Sequence, residues 1–141
     1  MEAKPQLIKG GKQTDARGTV CFVNEFDMSE VKRFYCIKHP DTSVIRAWRG
    51  HQIEQRWFYI AKGTFEIKLV EIDDWKNPDR NLEQLIFVLK AEDNSVLHIP
   101  RGYATSLQAL NENSELMVFA DFGLDHAKND DYLFPPDYFR A

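Results

Sequence analysis

Residues Arg56–Ile72 read RWFYIAKGTFEIKLVEI, and this stretch decides the fold. In Thr64–Ile72 the residues Phe65, Ile67 and Leu69 fall on one face, while Glu66 and Lys68 fall on the other. A repeat of two is the signature of a half-buried strand. Arg56–Ala61 precedes it, with Phe58 and Ile60 in phase, and Lys62–Gly63 between them reads as a tight turn. The pair predicts a β-hairpin.

Outward from this stretch the pattern repeats. Val20–Phe26, Val31–Ile37, Val44–Trp48, Leu85–Lys90, Val96–Ile99, Thr105–Leu110 and Glu115–Phe122 are short β-rich runs. They are separated by the turn signals Asp27–Glu30, Lys38–Asp41, Asp73–Asp79, Ala91–Asn94 and Asn111–Asn113. Short strands at such spacing predict an all-β sandwich or barrel. The tail Gly123–Ala141 is polar and aromatic, and it is expected to run over the mouth of the fold or onto a second subunit.

The totals narrow the function. A chain of 141 residues fits one domain, 1–141, with a core of its own. Aromatic residues make up 13%, enough to build much of the core and to line a pocket. The net charge of −4 gives no nucleic-acid footprint. No apolar run approaches the length of a membrane helix, and the N-terminus shows no signal peptide. Cys21 and Cys36 lie in no metal or redox pattern and read as free, buried thiols of a cytoplasmic protein.

One segment stands apart. Arg46–Phe58, RAWRGHQIEQRWF, mixes charges with aromatics. Glu54, Arg56, Phe58 and Ile60 share parity, so Phe58 and Ile60 suit the core, while Glu54 and Arg56 lie further along the same face at a wetter mouth. The alternative is a strand edge carrying a solvated Glu/Arg pair. Tyr35 shares parity with Arg33 and Ile37 and is a further pocket candidate, with Arg33 adding positive charge. His39 sits in a turn beside Pro40 and is expected to face solvent; His98 should point away from the core, and His126 lies in the tail.

Three motifs in order, DARG at Asp15–Gly18, the Arg/Gly/His/Gln cluster leading into KGTFEIKLVEID, and IPRGYATSLQAL at Ile99–Leu110, resemble the RmlC-like cupins. These include the dTDP-4-dehydrorhamnose 3,5-epimerases and the WxcM-like dTDP-sugar 3,4-ketoisomerases. The resemblance covers roughly residues 13–138. It implies a cupin-type jelly roll, a homodimer, and enolisation of a nucleotide-diphosphate 4-keto-6-deoxy sugar, dTDP-linked, in surface polysaccharide synthesis. By resemblance His51 is the base candidate, Arg46 and Arg49 contact the diphosphate or sugar, and Gln52 contacts the sugar. Asp121 is expected to orient His51 across the sheet, and Tyr132 or Tyr138 to supply the acid.

The chain departs from both family patterns. The epimerases carry Arg-Gly-X-His, whereas Gly50 here abuts His51. The ketoisomerases carry His-X-His before Glu-Gln, and alignment on Glu54–Gln55 puts Trp48 and Gly50 at those positions. His51 therefore reads either as a displaced base or as a contact in a non-catalytic sugar-binding cupin. A cupin metal site wants several histidines and a carboxylate. Here only His51 and Glu54 are in place, with Thr105 at the later histidine position, so no metal or other cofactor is expected.

Overall fold

The computed structural model describes residues 4–140. In chain order the strands are β1 (Gln6–Lys9), β2 (Gly11–Asp15), β3 (Gly18–Phe22), β4 (Arg33–His39), β5 (Ile45–His51), β6 (Arg56–Lys62), β7 (Thr64–Glu71), β8 (Leu85–Lys90), β9 (Ser95–Ile99), β10 (Tyr103–Ala109), β11 (Ser114–Ala120) and β12 (Tyr132–Leu133). A one-turn helix, α1 (Leu124–Ala127), precedes β12. The fold is all-β. One antiparallel sheet runs β1-β9-β6-β11-β4, the other β12-β5-β10-β7-β8, and β2 and β3 form a separate ribbon.

The alternation read in the sequence sets which side chains meet. Phe58 and Ile60 of β6, Leu116 and Val118 of β11 and Leu97 of β9 face Phe65, Ile67 and Leu69 of β7 and Leu107 of β10 in one buried cluster. All are 5% exposed or less. Burying a side chain of this size contributes about 1.5–3 kcal/mol, so this cluster is the main support of both sheets.

The expected hairpin does not form. β6 pairs with β11 and β9, while β7 pairs with β10 and β8. Lys62–Gly63 is the corner by which the chain leaves one sheet for the other. A period of two fixes which residues turn inward, but it is the same for strands paired side by side and strands opposed across a core. The corner accounts for Gly63: its φ is +78°, and a Cβ there would collide with Ser114.

Other expectations need correction. Val31–Ile37 and Val44–Trp48 fall two or three residues short, since β4 continues through His39 and β5 through His51. Cys21 and Cys36 are exposed, not buried: Cys36 takes an outward position on β4, and Cys21 lies in the β2–β3 ribbon, which is exposed along most of its length. His39 is 2% exposed: as the last residue of β4 it keeps the inward parity of Arg33, Tyr35 and Ile37. The tail keeps only its first part at the mouth, where Leu124, Ala127 and Asp131 border the space beside His51. Its later part packs on the outer face of the second sheet, where Phe134, Tyr138 and Phe139 cover Trp48, Val70, Ile72 and Ala104. No described helix is long and apolar enough to cross a membrane.

Candidate active site

β5 carries the site on one of its two faces. Its register against β10 pairs His51 with Tyr103 and Arg49 with Thr105, and turns these inward, while Gly50 pairs with Ala104 and turns outward. Outward-facing Trp48 and Gly50 are sealed: Trp48 meets Phe139 edge-on at 5.0 Å, and Trp75 covers Gly50.

After His51 the chain turns sharply into β6, and a residue from the tail holds that turn. Asp130 is 1% exposed. Its Oδ1 accepts from the backbone N–H of Gln52 at 2.8 Å, and its Oδ2 accepts from Ile53 at 3.1 Å and Glu54 at 2.8 Å. Three converging N–H donors satisfy a buried carboxylate as well as a charged partner does. The backbone carbonyl of Asp130 lies 2.7 Å from His51 Nδ1. A carbonyl only accepts, so Nδ1 carries the proton and Nε2 carries the lone pair. Nε2 is buried and makes no protein hydrogen bond. Burial foremost, then the nearby Arg56 charge, lowers the His51 pKa to about 4, against the opposing effects of the Asp130 carbonyl and Glu54. The ring is neutral at pH 7.

Below the histidine lies a buried charge network. Glu54 is 2% exposed, and its Oε2 takes Arg56 Nε at 2.8 Å and Nη2 at 2.7 Å. Its Oε1 takes Arg33 Nη2 at 3.3 Å. Arg33 Nε is fixed on the Phe122 carbonyl at 3.1 Å. Arg56 Nη1 donates to the Tyr35 hydroxyl at 2.7 Å, which leaves the Tyr35 O–H proton free to point elsewhere. Glu54 and Arg56 therefore do not lie at a wet mouth. They form a buried pair, and Glu54 has its oxygens engaged by arginines.

Two hollows meet over this network. One, of about 470 Å³, is lined by Tyr35, Arg46, Arg49, Arg56, Thr105 and Leu107 among others; a second of the same size adds Arg33, His51 and Asp131. Lys38, Arg46, Arg49 and Arg56 all border the first, and no described Asp or Glu does. In a chain of net charge −4 this is a concentration of cations facing one space. Arg49 is also paired with Asp131 at 3.0 Å on the rim.

Other candidates lie elsewhere. Asp121 does not meet His51. Its Oδ1 accepts from the Gln55 backbone at 2.8 Å and its Oδ2 from the Gln55 side chain at 3.2 Å. Gln55 in turn accepts from His98 Nε2 at 2.8 Å, and His98 stacks on Trp57 on the outer face of the first sheet. Tyr132 follows Gly50 to the outer side of β5, packs on Trp75 at 4.7 Å and donates to the exposed Gln52 at 3.1 Å. Tyr138 donates to the Pro78 carbonyl at 2.6 Å, under Arg80. The tyrosine beside both hollows is Tyr35. Among the described residues no three His, Cys, Asp or Glu side chains converge as a metal site. Sequence reasoning passed over Asp130; its signal was a turn-forming Asn-Asp-Asp run in the tail, with nothing to say which turn it would clasp.

No protein-family model and no curated protein matches the sequence. Comparison of three-dimensional structures does find matches. QdtA, a sugar 3,4-ketoisomerase from Thermoanaerobacterium thermosaccharolyticum solved in complex with TDP, superposes with a TM-score of 0.73 at 21% identity, over 98% of this chain and 93% of that one. A 3,4-ketoisomerase from Helicobacter canadensis gives 0.74 at 16% identity, over 99% and 97%. The dTDP-4-dehydrorhamnose 3,5-epimerase of Sulfolobus tokodaii gives 0.76 at 20% identity, over 97% and 80%. The chain thus has the fold of the 3,4-ketoisomerases and 3,5-epimerases of TDP-linked sugars, the group that its sequence motifs resemble.

Proposed function

We propose that this chain is a sugar-nucleotide epimerase or 3,4-ketoisomerase. It is read as a cupin-type jelly roll that enolises a nucleotide-diphosphate 4-keto-6-deoxy sugar, dTDP-linked, with its own side chains. The observation that carries this reading is His51: its proton is fixed on the Asp130 carbonyl, its lone pair lies on Nε2, and arginines stand beside it. A base must be unprotonated at working pH and held in one tautomer, and this geometry supplies both. Shared fold with enzymes of that chemistry supports it.

In the proposed reaction His51 Nε2 takes a proton from the carbon beside the ketone. The C–H pair becomes the C=C bond of an enolate, and the negative charge moves to the carbonyl oxygen. Tyr35, its oxygen held by Arg56, has an O–H free to donate to that oxygen, and Arg33 and Arg56 add positive charge nearby. As negative charge develops on the sugar, the imidazolium of His51 gains an anionic partner, which offsets its lowered pKa. Protonation of the same carbon from the opposite face by a second donor gives the epimer; delivery of the proton to the former carbonyl carbon, with the neighbouring hydroxyl proton passing to the former carbonyl oxygen, gives the ketoisomer. Arg49 and Arg46, which border the first hollow, are read as the diphosphate contacts.

The test is deuterium uptake from D2O into dTDP-4-keto-6-deoxyglucose, followed by NMR. Uptake at C3 or C5 by the wild type, and none by His51→Ala, is the expected result; the label position then separates the two reactions. A non-catalytic sugar-binding cupin is the second reading, favoured by the complete burial of Nε2. Tight binding of the sugar nucleotide with no exchange would establish it. We further propose a cytoplasmic homodimer serving surface polysaccharide synthesis. The open edge of β4, with Phe34 65% exposed, supports the dimer, and sedimentation at micromolar concentration tests it.

A further inference from the structure

Of the four cations that border the first hollow, Lys38 is exposed, and the charges of the three arginines are not equally available. Arg56 is tied to Glu54 and Arg49 to Asp131. Arg46 differs from both. Its Nε donates at 2.9 Å to His39 Nε2, a neutral acceptor, and no described carboxylate forms an ion pair with it. Its guanidinium is therefore held in place without an acidic partner among the described residues, beside a hollow that no described Asp or Glu borders.

His39 is built for this contact. It is 2% exposed at the end of β4, backed by the Phe65 ring at 5.5 Å and opposite Ser114 of β11. Its other nitrogen, Nδ1, is buried and makes no protein hydrogen bond. With Nε2 accepting from Arg46, that Nδ1 bears the ring proton. An apolar residue would fill the same space without burying an unpaired N–H. What a histidine adds here is an uncharged acceptor for Arg46. A carboxylate at this position would hold the guanidinium as firmly, but it would neutralise it. Burial first, then Arg46 itself, lowers the His39 pKa, and Asp41 opposes; these are the charged groups that bear on the ring. Neutral His39 and positive Arg46 thus favour one another.

We propose that His39 is the positioning residue of Arg46, orienting its guanidinium while leaving the charge for the diphosphate of the bound nucleotide. This rests on the sugar-nucleotide reading of the site, in which Arg46 meets the diphosphate, and adds the residue that holds it there.

The experiment measures dTDP, thymidine and inorganic pyrophosphate binding by calorimetry for wild type, Arg46→Met, His39→Leu, His39→Gln and the Arg46→Met/His39→Leu double variant. Thermal unfolding checks that each is folded. Arg46→Met is expected to weaken dTDP about 10- to 100-fold, the range for losing a charged hydrogen bond, and His39→Leu about 10-fold. His39→Gln, whose amide oxygen accepts near the place of Nε2, should restore most of the affinity. Thymidine binding should not change, and the double variant should be no weaker than Arg46→Met alone. With saturating substrate the exchange rate should hold while KM rises. Wild-type affinity for dTDP in Arg46→Met or in a folded His39→Leu overturns the proposal while leaving the enolisation reading intact. Arg46- and His39-dependent pyrophosphate binding without dTDP binding or deuterium exchange keeps the anion anchor and overturns the sugar-nucleotide reading. Binding of neither ligand by wild type overturns both.

Discussion

The two faces of β5 are made by alternate residues of one strand and have opposite physical roles. Outward, Trp48 and Gly50 are covered by Trp75 and the aromatic tail, and every large ring there has a packing partner. Inward, Arg49 and His51 border a hollow among charged groups, and His51 Nε2 has no hydrogen-bond partner among the described residues. The outer face gains by excluding water from apolar surface. The inner face holds polar groups in fixed orientation with their capacity to interact unspent. One strand can do both because its period of two sends neighbours to different environments, and the packed face fixes the backbone from which the reactive face projects.

The largest effect that tests this contrast comes from the inner face alone. His51→Ala should lower deuterium exchange by about 10²–10⁴-fold, the usual contribution of a general base, with little change in melting temperature. A large drop in melting temperature would mean that His51 is structural, and the two faces would not differ as described. Next, Glu54→Ala leaves Arg56 and Arg33 buried without their carboxylate. Breaking a buried pair in this way costs about 3–5 kcal/mol, to be read from urea unfolding. An unchanged midpoint would show that the charged network does not hold the inner face.

The pH dependence is somewhat smaller. An unfolded histidine titrates near its ordinary value of 6.5, and folded His51 titrates at about 4. Between these values the unfolded chain binds a proton that the folded chain refuses. Stability therefore falls as pH drops from 6.5 toward 4, by about 3 kcal/mol for this residue, and levels off below. Burial lowers His39 and His98 in the same direction, so their slopes add to it. Thermal melts of wild type and His51→Gln across this range should diverge, the variant losing less on acidification. Parallel curves would place His51 in an ordinary, hydrated environment. Last, Gly50→Ala probes the packed face. A Cβ there would stand 2.8 Å from the Trp75 ring, and overpacking of this kind costs about 1–3 kcal/mol. Trp75→Leu in the same chain should recover part of the loss. If Gly50→Ala is neutral by itself, the outer face is looser than the inner one.

Much of this was legible in the sequence, and the limits of legibility follow from range. Parity along one strand placed Phe58, Ile60, Phe65, Ile67 and Leu69 in the core and put Tyr35 beside Arg33, because alternation is a local property. Which strands pair is not local, so the Arg56–Ile72 stretch read as a hairpin when it turns a corner. Motif resemblance singled out His51, but neither the orienting group nor the acid followed from it. Asp121, just past the end of β11, and Tyr132 of β12 take directions that depend on partners far away in sequence. Asp130 reaches the turn after His51 across 79 positions, and Arg46 meets His39 only because the loop between β4 and β5 brings the ends of those strands together. Glu54 was read as wet because its charge suggested water; two arginines and a buried turn take the place of that water.

The Asp130 clasp also has a consequence for the order in which the protein is made. When the ribosome has delivered β1 to β11, every long strand of both sheets exists, yet the turn after His51 still lacks the carboxylate that fixes its three amides and the carbonyl that selects its tautomer. A nascent chain at that stage has the sheets without an oriented His51 ring. The orientation of that ring thus arrives at a late moment of synthesis, after the framework that must contain it.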